Sequence, residues 1–221
     1  MSTKKTPPAA RAPQRQRGKD RVAALIEAAI AVFAEKSYAA VTMTEIAARA
    51  GAPIGSLYQF FPNKELIADA LLQRYLDLTV AALERIEADP ASRHAEPLAR
   101  LLLRVFVDLK TERAAILSLL DGLRHEKAAR GTEFRSAVLG RLQRILHAIT
   151  PELAPTQAAT AAITILQQMK AAAELSSRSE PAAVEALDKE LVRMLALYLA
   201  DLASAAGERT KSPRGGSTAR R

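Results

Sequence analysis

The run from Thr42 to Lys64 leaves this chain few ways to fold. Thr42 suits a helix N-cap, and Glu45 three residues later completes a capping box. Ile46, Ala47 and Ala50 then share one face of a helix of about two turns. Gly51 follows, and a glycine there lets the chain turn through the left-handed region. Pro53 fits the first turn of a second helix, where its missing N–H has no partner to lose. That helix spans Ile54 to Phe60, because Pro62 disfavours helical geometry at Phe61. Asn63 caps a third, longer helix that starts at Lys64. Helix, glycine turn, helix is the helix-turn-helix arrangement, in which the second helix lies in the DNA major groove.

On the second helix, Leu57 and Phe61 point inward and Gly55, Ser56, Tyr58 and Gln59 remain outside. Gly55 permits close approach to a surface, Ser56 and Tyr58 can donate to phosphate oxygens, and Gln59 can reach a base edge. The residues alone leave two readings open: a DNA-facing helix, or a short buried helix whose polar residues face water.

Residues 20–68 resemble the DNA-binding domain of the TetR (tetracycline-repressor-like) family of bacterial transcriptional regulators. The resemblance is carried by Leu25-Ile26, Ala29, Phe33, Tyr38, Thr42, Ile46-Ala47, Ala50-Gly51, Gly55-Ser56-Leu57-Tyr58, Phe61, Asn63-Lys64-Glu65 and Leu66. It implies the first reading, with DNA contacts from Thr42, Thr44, Ile54, Gly55, Ser56, Tyr58, Gln59 and Lys64. Two places depart from the family pattern. Ser37 stands where a glycine usually ends the first helix, and Ala52-Pro53-Ile54 replaces a Val-Ser-Lys-like entry to the recognition helix. The second change removes a hydroxyl cap and a charge from the DNA face.

Composition supports an all-α protein: 49% of the 221 residues are hydrophobic, but only 4% are aromatic. The absence of cysteine excludes disulfides, thiolate catalysis and Cys-based metal sites. The net charge of +8 sits in two tails. Residues 1–21 carry Lys4, Lys5, Arg11, Arg15, Arg17, Lys19 and Arg21 against Asp20 alone, and residues 207–221 carry five cations against Glu208. Both tails contain Pro, Gly or Ser and read as disordered. Arg15, Arg17 and Lys19 lead into the DNA-binding domain, where a basic arm can enter a neighbouring minor groove. Solubilising ends are the plainer alternative.

No apolar run suits a membrane span, since Leu153 to Met169 is interrupted by Pro155 and by Thr and Gln. No apolar segment follows the basic N-terminus as in a secretory signal, so a cytoplasmic protein is expected. His94, His125 and His147 are scattered, and no phosphate loop or nucleophile motif occurs. The expectation is a non-enzyme without metal or cofactor.

Helical periodicity places further helices at Lys19 to Lys36, Lys64 to Glu87, Glu96 to Leu109, Arg113 to Leu123, Glu133 to Ile149, Thr156 to Ser176 and Pro181 to Ala205. Gly131-Thr132 reads as the link before the helix that starts at Glu133. The expected organisation is a disordered basic arm (1–18), a helix-turn-helix domain (19–66), a helical ligand-binding and dimerisation domain (67–206) and a disordered basic tail (207–221). On the last two helices, Ala161, Ile165, Leu187, Leu191, Met194 and Tyr198 read as a homodimer surface, the alternative being that both stripes bury against their own domain. The resemblance implies the same, with the last two helices forming a four-helix bundle. It also implies a pocket in the C-terminal domain, for which Tyr75, Phe106, Phe134 and Met169 are large, polarisable wall candidates, although each taken alone reads as plain core. Few charges fall there in the sequence pattern, so the expected effector is apolar or weakly polar.

The functional expectation is a repressor released from a palindromic operator by a small molecule. A nonspecific architectural DNA binder and a helical carrier of apolar molecules are the alternatives.

Overall fold

The capping box at Thr42 is made in full in the computed structural model of the protein, which describes residues 14–122, 128–178 and 181–211. Glu45 N–H donates to Thr42 Oγ1 at 3.2 Å, and Thr42 N–H donates back to Glu45 Oε2 at 3.1 Å. The helix so started, α2, runs Met43–Arg49, after α1 at Gln14–Glu35. Gly51 turns the chain at φ +59°, and no other described residue has a positive φ. The next helix, α3, spans Ile54–Phe60, with Pro53 at its N-cap. Asn63 Oδ1 accepts from Leu66 N–H at 2.9 Å and starts α4, Lys64–Ala88. A short 3-10 turn at Pro90–Arg93 leads into α5, Ala95–Asp108. The chain continues through α6 (Lys110–Gly122), α7 (Ala128–Ile149), α8 (Pro155–Arg178) and α9 (Pro181–Lys211). The fold is all-α, and no strand occurs among the described residues.

Helix α6 begins at Lys110 rather than Arg113, and three further boundaries differ more widely from the sequence expectation. First, α1 begins at Gln14 rather than Lys19, so Arg15, Arg17 and Lys19 stand on a helix and not in an extended arm. Residues 14–18 are polar, so periodicity is silent there, while Gln16 Nε2 donates to Asp20 Oδ1 at 2.9 Å along the helix. Second, Gly131-Thr132 does not break the chain but lies inside α7. An internal glycine costs a helix about 1 kcal/mol, less than the packing of Phe134 and Val138 just beyond returns. Third, α9 carries on through Arg209 to Lys211. The rest of the two expected tails, 1–13 and 212–221, lies outside the described residues.

The head (α1–α3) closes over Leu25, Ala29, Phe33, Ile46 and Leu57, all buried. The body is built around α5, whose Leu98, Leu102, Leu103 and Phe106 are buried against α4, α8 and α9. Two elements join head to body. One is α4, whose 25 residues measure about 38 Å at 1.5 Å per residue. The other is α6, which packs along α1, where Ser118 Oγ donates to the Lys36 carbonyl at 2.7 Å. An ion pair of Arg74 with Glu27 reinforces the α4–α1 junction, and Arg141 with Glu84 and Glu87 fastens α4 to α7 within the body. No helix among the described residues is long and apolar enough to cross a membrane.

Candidate nucleic-acid interface and ligand cavity

The head presents α3 outward because only Leu57 on it is buried. Tyr58 keeps 48% of its surface exposed and Ile54 40%, and Gly55 and Gln59 are also exposed, with Ser56 half-buried. On α2, Thr44 is exposed. Thr42 is exposed too, but its hydroxyl is engaged with Glu45 as both acceptor and donor. The α1–α2 corner is tied by Lys36 to Glu45 and by Arg49 to Glu35 at 2.6 Å. Lys36 first, then the Thr42 backbone and hydroxyl, hold the Glu45 carboxyl below its ordinary range.

Lys64 has a role that sequence spacing did not indicate. Its ammonium donates to the Tyr38 carbonyl at 2.8 Å and the Val41 carbonyl at 2.9 Å, and it lies 4.4 Å from the centre of the Tyr38 ring. Tyr38 is stacked on Phe33 and donates its hydroxyl to Glu65 Oε1 at 3.1 Å. Lys64 thus clips the start of α4 to the α1–α2 loop. Two of its three N–H bonds are used within the head, which leaves one for an outside acceptor.

In the body, Tyr75, Phe106 and Phe134 form a stacked trio with ring centres 5.2 to 6.5 Å apart. They stand at one side of a cavity of about 270 Å³ between α4, α6, α7 and α8. Leu72 and Leu76 of α4, Ile116, Leu117 and Leu120 of α6, and Leu166 of α8 complete its apolar wall. Burial pushes the Tyr75 phenol well above its ordinary range, so it is neutral at any physiological pH. Met169 is buried in the core one turn of α8 from Leu166 and is not among the residues that face the cavity. The expectation of few charges here also changes. Arg113, Arg135 and Lys170 line the same cavity, with Glu133 as the one acidic lining residue among the described residues. Burial first, then the nearby Arg135 and Arg113, pull the Lys170 ammonium below its ordinary range. One signal was present in the sequence: Lys170 falls on the otherwise apolar stripe Ala162, Leu166, Met169 and Ala173 of α8. No cluster of side chains suited to a metal occurs among the described residues.

The expected partner surface divides in two. Ala161 and Ile165 are fully buried within the protomer's own core and are unavailable to a second chain. Helix α8 packs on both α5 and α7, and its buried alanines, Ala161 among them, let it approach closely. On α9 the inward residues are Val192, Leu195 and Leu199. Leu187 and Met194 are exposed, while Leu191 and Tyr198 are half-buried. Two residues not expected from sequence join the outward face, Leu197 at 62% exposure and Ile163 of α8.

Comparison with known proteins accounts for both parts of the chain. Residues 25–71 match the family described as bacterial regulatory proteins, tetR family, and residues 95–199 match the tetracyclin repressor-like C-terminal domain. A repressor named KstR2 from Mycobacterium tuberculosis (strain ATCC 25618 / H37Rv) is 35% identical over 97 residues, 44% of this chain and 48% of that protein. The match therefore spans about half the length of that relative. Two solved structures share the fold. AibR, in complex with isovaleryl coenzyme A and operator DNA, aligns with a TM-score of 0.61 at 20% identity, covering 79% of this chain and 97% of the other. FadR from Bacillus subtilis, in complex with stearoyl-CoA, aligns at 0.60 and 20%, with the same coverage.

Proposed function

Since this chain belongs to the tetR family of bacterial regulatory proteins, we propose that it is a cytoplasmic, non-enzymatic transcriptional repressor. It binds a palindromic operator as a homodimer and leaves it when a small molecule occupies the body. The observation that carries this reading is that the two helices joining head to body also line the cavity. Leu72, Tyr75 and Leu76 of α4 and Arg113, Ile116, Leu117 and Leu120 of α6 face the cavity, and α6 also holds the Lys36 carbonyl, just past the end of α1, through Ser118. A ligand that prefers one arrangement of α4 and α6 shifts the population of head spacings, and only one spacing fits successive major grooves. AibR and FadR each hold a coenzyme A thioester, and AibR holds operator DNA as well, which supports a ligand role for a body of this fold.

In the head, Tyr58 and Ser56 serve phosphate oxygens, Gln59 reads a base edge, and Thr44, Ile54 and Gly55 complete the contact face. Thr42 contributes through its cap, and Lys64 positions the head while its third N–H reaches for phosphate. Arg17 and Lys19, exposed on the first turns of α1, add sequence-independent attraction. Pairing of the exposed faces of α8 and α9 around Met194, Leu197, Leu187 and Ile163 makes the dimer.

The test is a gel shift on the intergenic DNA beside the protein's own gene, with random DNA as competitor, at about 0.15 M salt. A shift that survives competition is expected. A shift lost to the competitor would replace the repressor with a nonspecific DNA binder.

A further inference from the structure

The cavity carries more charge than an apolar effector needs. Arg113 reaches it from α6, Arg135 from α7 and Lys170 from α8. Among the described residues none of the three has a carboxylate partner, although the same protein pairs Arg74, Arg100, Arg104 and Arg141 with acids. Lys170 is half-buried, in the range of the fields of both arginines. Cations gathered at a partly dry site repel one another and lose hydration. Folding alone gives no reason for three helices to bring them together. A bound anion would offset both costs at once.

The arrangement of the lining also has a direction. Tyr75 and Phe106 are buried, Arg113 and Lys170 are half-buried, and Arg135, Glu133, Leu117 and Leu120 are exposed, so the lining runs from a closed aromatic end past two cations to an open rim that Arg135 shares. The volume of about 270 Å³ sits at the small end of ligand pockets, which run from roughly 300 to 1,000 Å³. It holds a short apolar group and leaves a charged headgroup at the opening.

Resting on the ligand-released reading above, we infer that the effector is an anionic amphiphile: a short acyl chain seated against Tyr75, Phe106 and Phe134, with a carboxylate or phosphate group held by Arg113, Arg135 and Lys170. Arginine supplies forked donors that match either oxyanion, and lysine adds a point charge.

The experiment is calorimetric titration of the full-length protein with three probes of equal chain length: octanoate, octanoyl-CoA and octan-1-ol. The expected result is that one or both anionic probes bind at least about tenfold more tightly than the alcohol. Octanoate binding as well as octanoyl-CoA would assign the charge to a carboxylate; octanoyl-CoA binding much more tightly would assign it to phosphate. In Arg113→Gln with Lys170→Gln, anion affinity falls by about tenfold or more and alcohol affinity does not change. Lys170→Arg, which keeps the charge, retains tight anion binding, and Arg135→Gln provides a variant at an exposed position that cannot unfold the core. Equal binding of alcohol and anions, unaltered by these variants, overturns the anionic assignment and leaves the ligand-released reading standing. No binding of any of the three probes overturns the acyl-anion assignment as well, whereas the ligand-released reading falls only with the competed gel shift.

Discussion

In the head, single residues fix the path of the backbone: Thr42 caps α2, Gly51 turns the chain at φ +59°, and Asn63 caps α4. In the body, α5, α7, α8 and α9 are held by long apolar faces, His94 at the start of α5 makes no side-chain cap bond, and a glycine such as Gly131 passes through a helix. The two regions share a fold class but are specified differently. A head of short helices cannot bury enough area per helix to override bad local geometry, so its punctuation must be right. A body of long helices averages over local faults, which leaves individual positions free for a site.

Leu57→Ala tests this contrast most strongly. Leu57 is fully buried and is the one buried residue of α3, so its truncation costs about 2–5 kcal/mol in urea melts and detaches the recognition helix. By contrast, Met194→Glu on the exposed face of α9 (57% exposed) leaves protomer stability within about 0.5 kcal/mol but shifts sedimentation toward the monomer. If both substitutions were equally destabilising, the outward face of α9 would be core and the division wrong.

Lys64→Met is next. Removing a charged donor from two carbonyls lowers stability by about 1–3 kcal/mol, discounted toward the lower end because the site is half-exposed. Thermal melting of the variant separates this loss from any loss of DNA affinity.

The glycines give effects of opposite sign. Gly51→Val forces a β-branched residue to positive φ and costs about 1–2 kcal/mol. Gly131→Ala meets nothing within 4 Å in a helix and gains about 0.4–1 kcal/mol. Chemical denaturation of the two variants reads both signs directly.

The smallest expected effect is at Glu45. Its folded carboxyl is held below the ordinary range, so the stabilisation it gives is present above that range and is lost as pH falls through the lowered value. Glu45→Gln should therefore narrow the difference in head stability between neutral and mildly acidic pH. The wild-type slope persisting in the variant would place the acid sensitivity elsewhere.

The same contrast explains what the sequence disclosed. The limits of α3 and the cap of α4 were legible to the residue, because Pro53, Pro62 and Asn63 act through nearest neighbours. The start of α1 was not, because Gln14 to Gly18 carry no apolar face. Of the wall candidates, Tyr75, Phe106 and Phe134 do meet, but Met169 has the same residue character and is core. Which side of a helix a large apolar residue faces depends on neighbours distant in sequence. Ala161 and Ile165 were placed on the wrong side of α8 for that reason, and Arg113, Arg135 and Lys170 converge only once three helices have packed.

The double contact of α6 has a consequence for how such a regulator diversifies. Ile116 and Leu120 face the cavity while Ser118, between them, is bonded to the Lys36 carbonyl just past the end of α1. A change of effector preference made on α6 is therefore also a change in how the head is carried. Phe134, Arg135 and Lys170 touch the cavity from α7 and α8, helices with no side-chain bond to the head among the described residues. Lineages, or engineers, that alter those two helices can exchange the input and keep the output wiring intact.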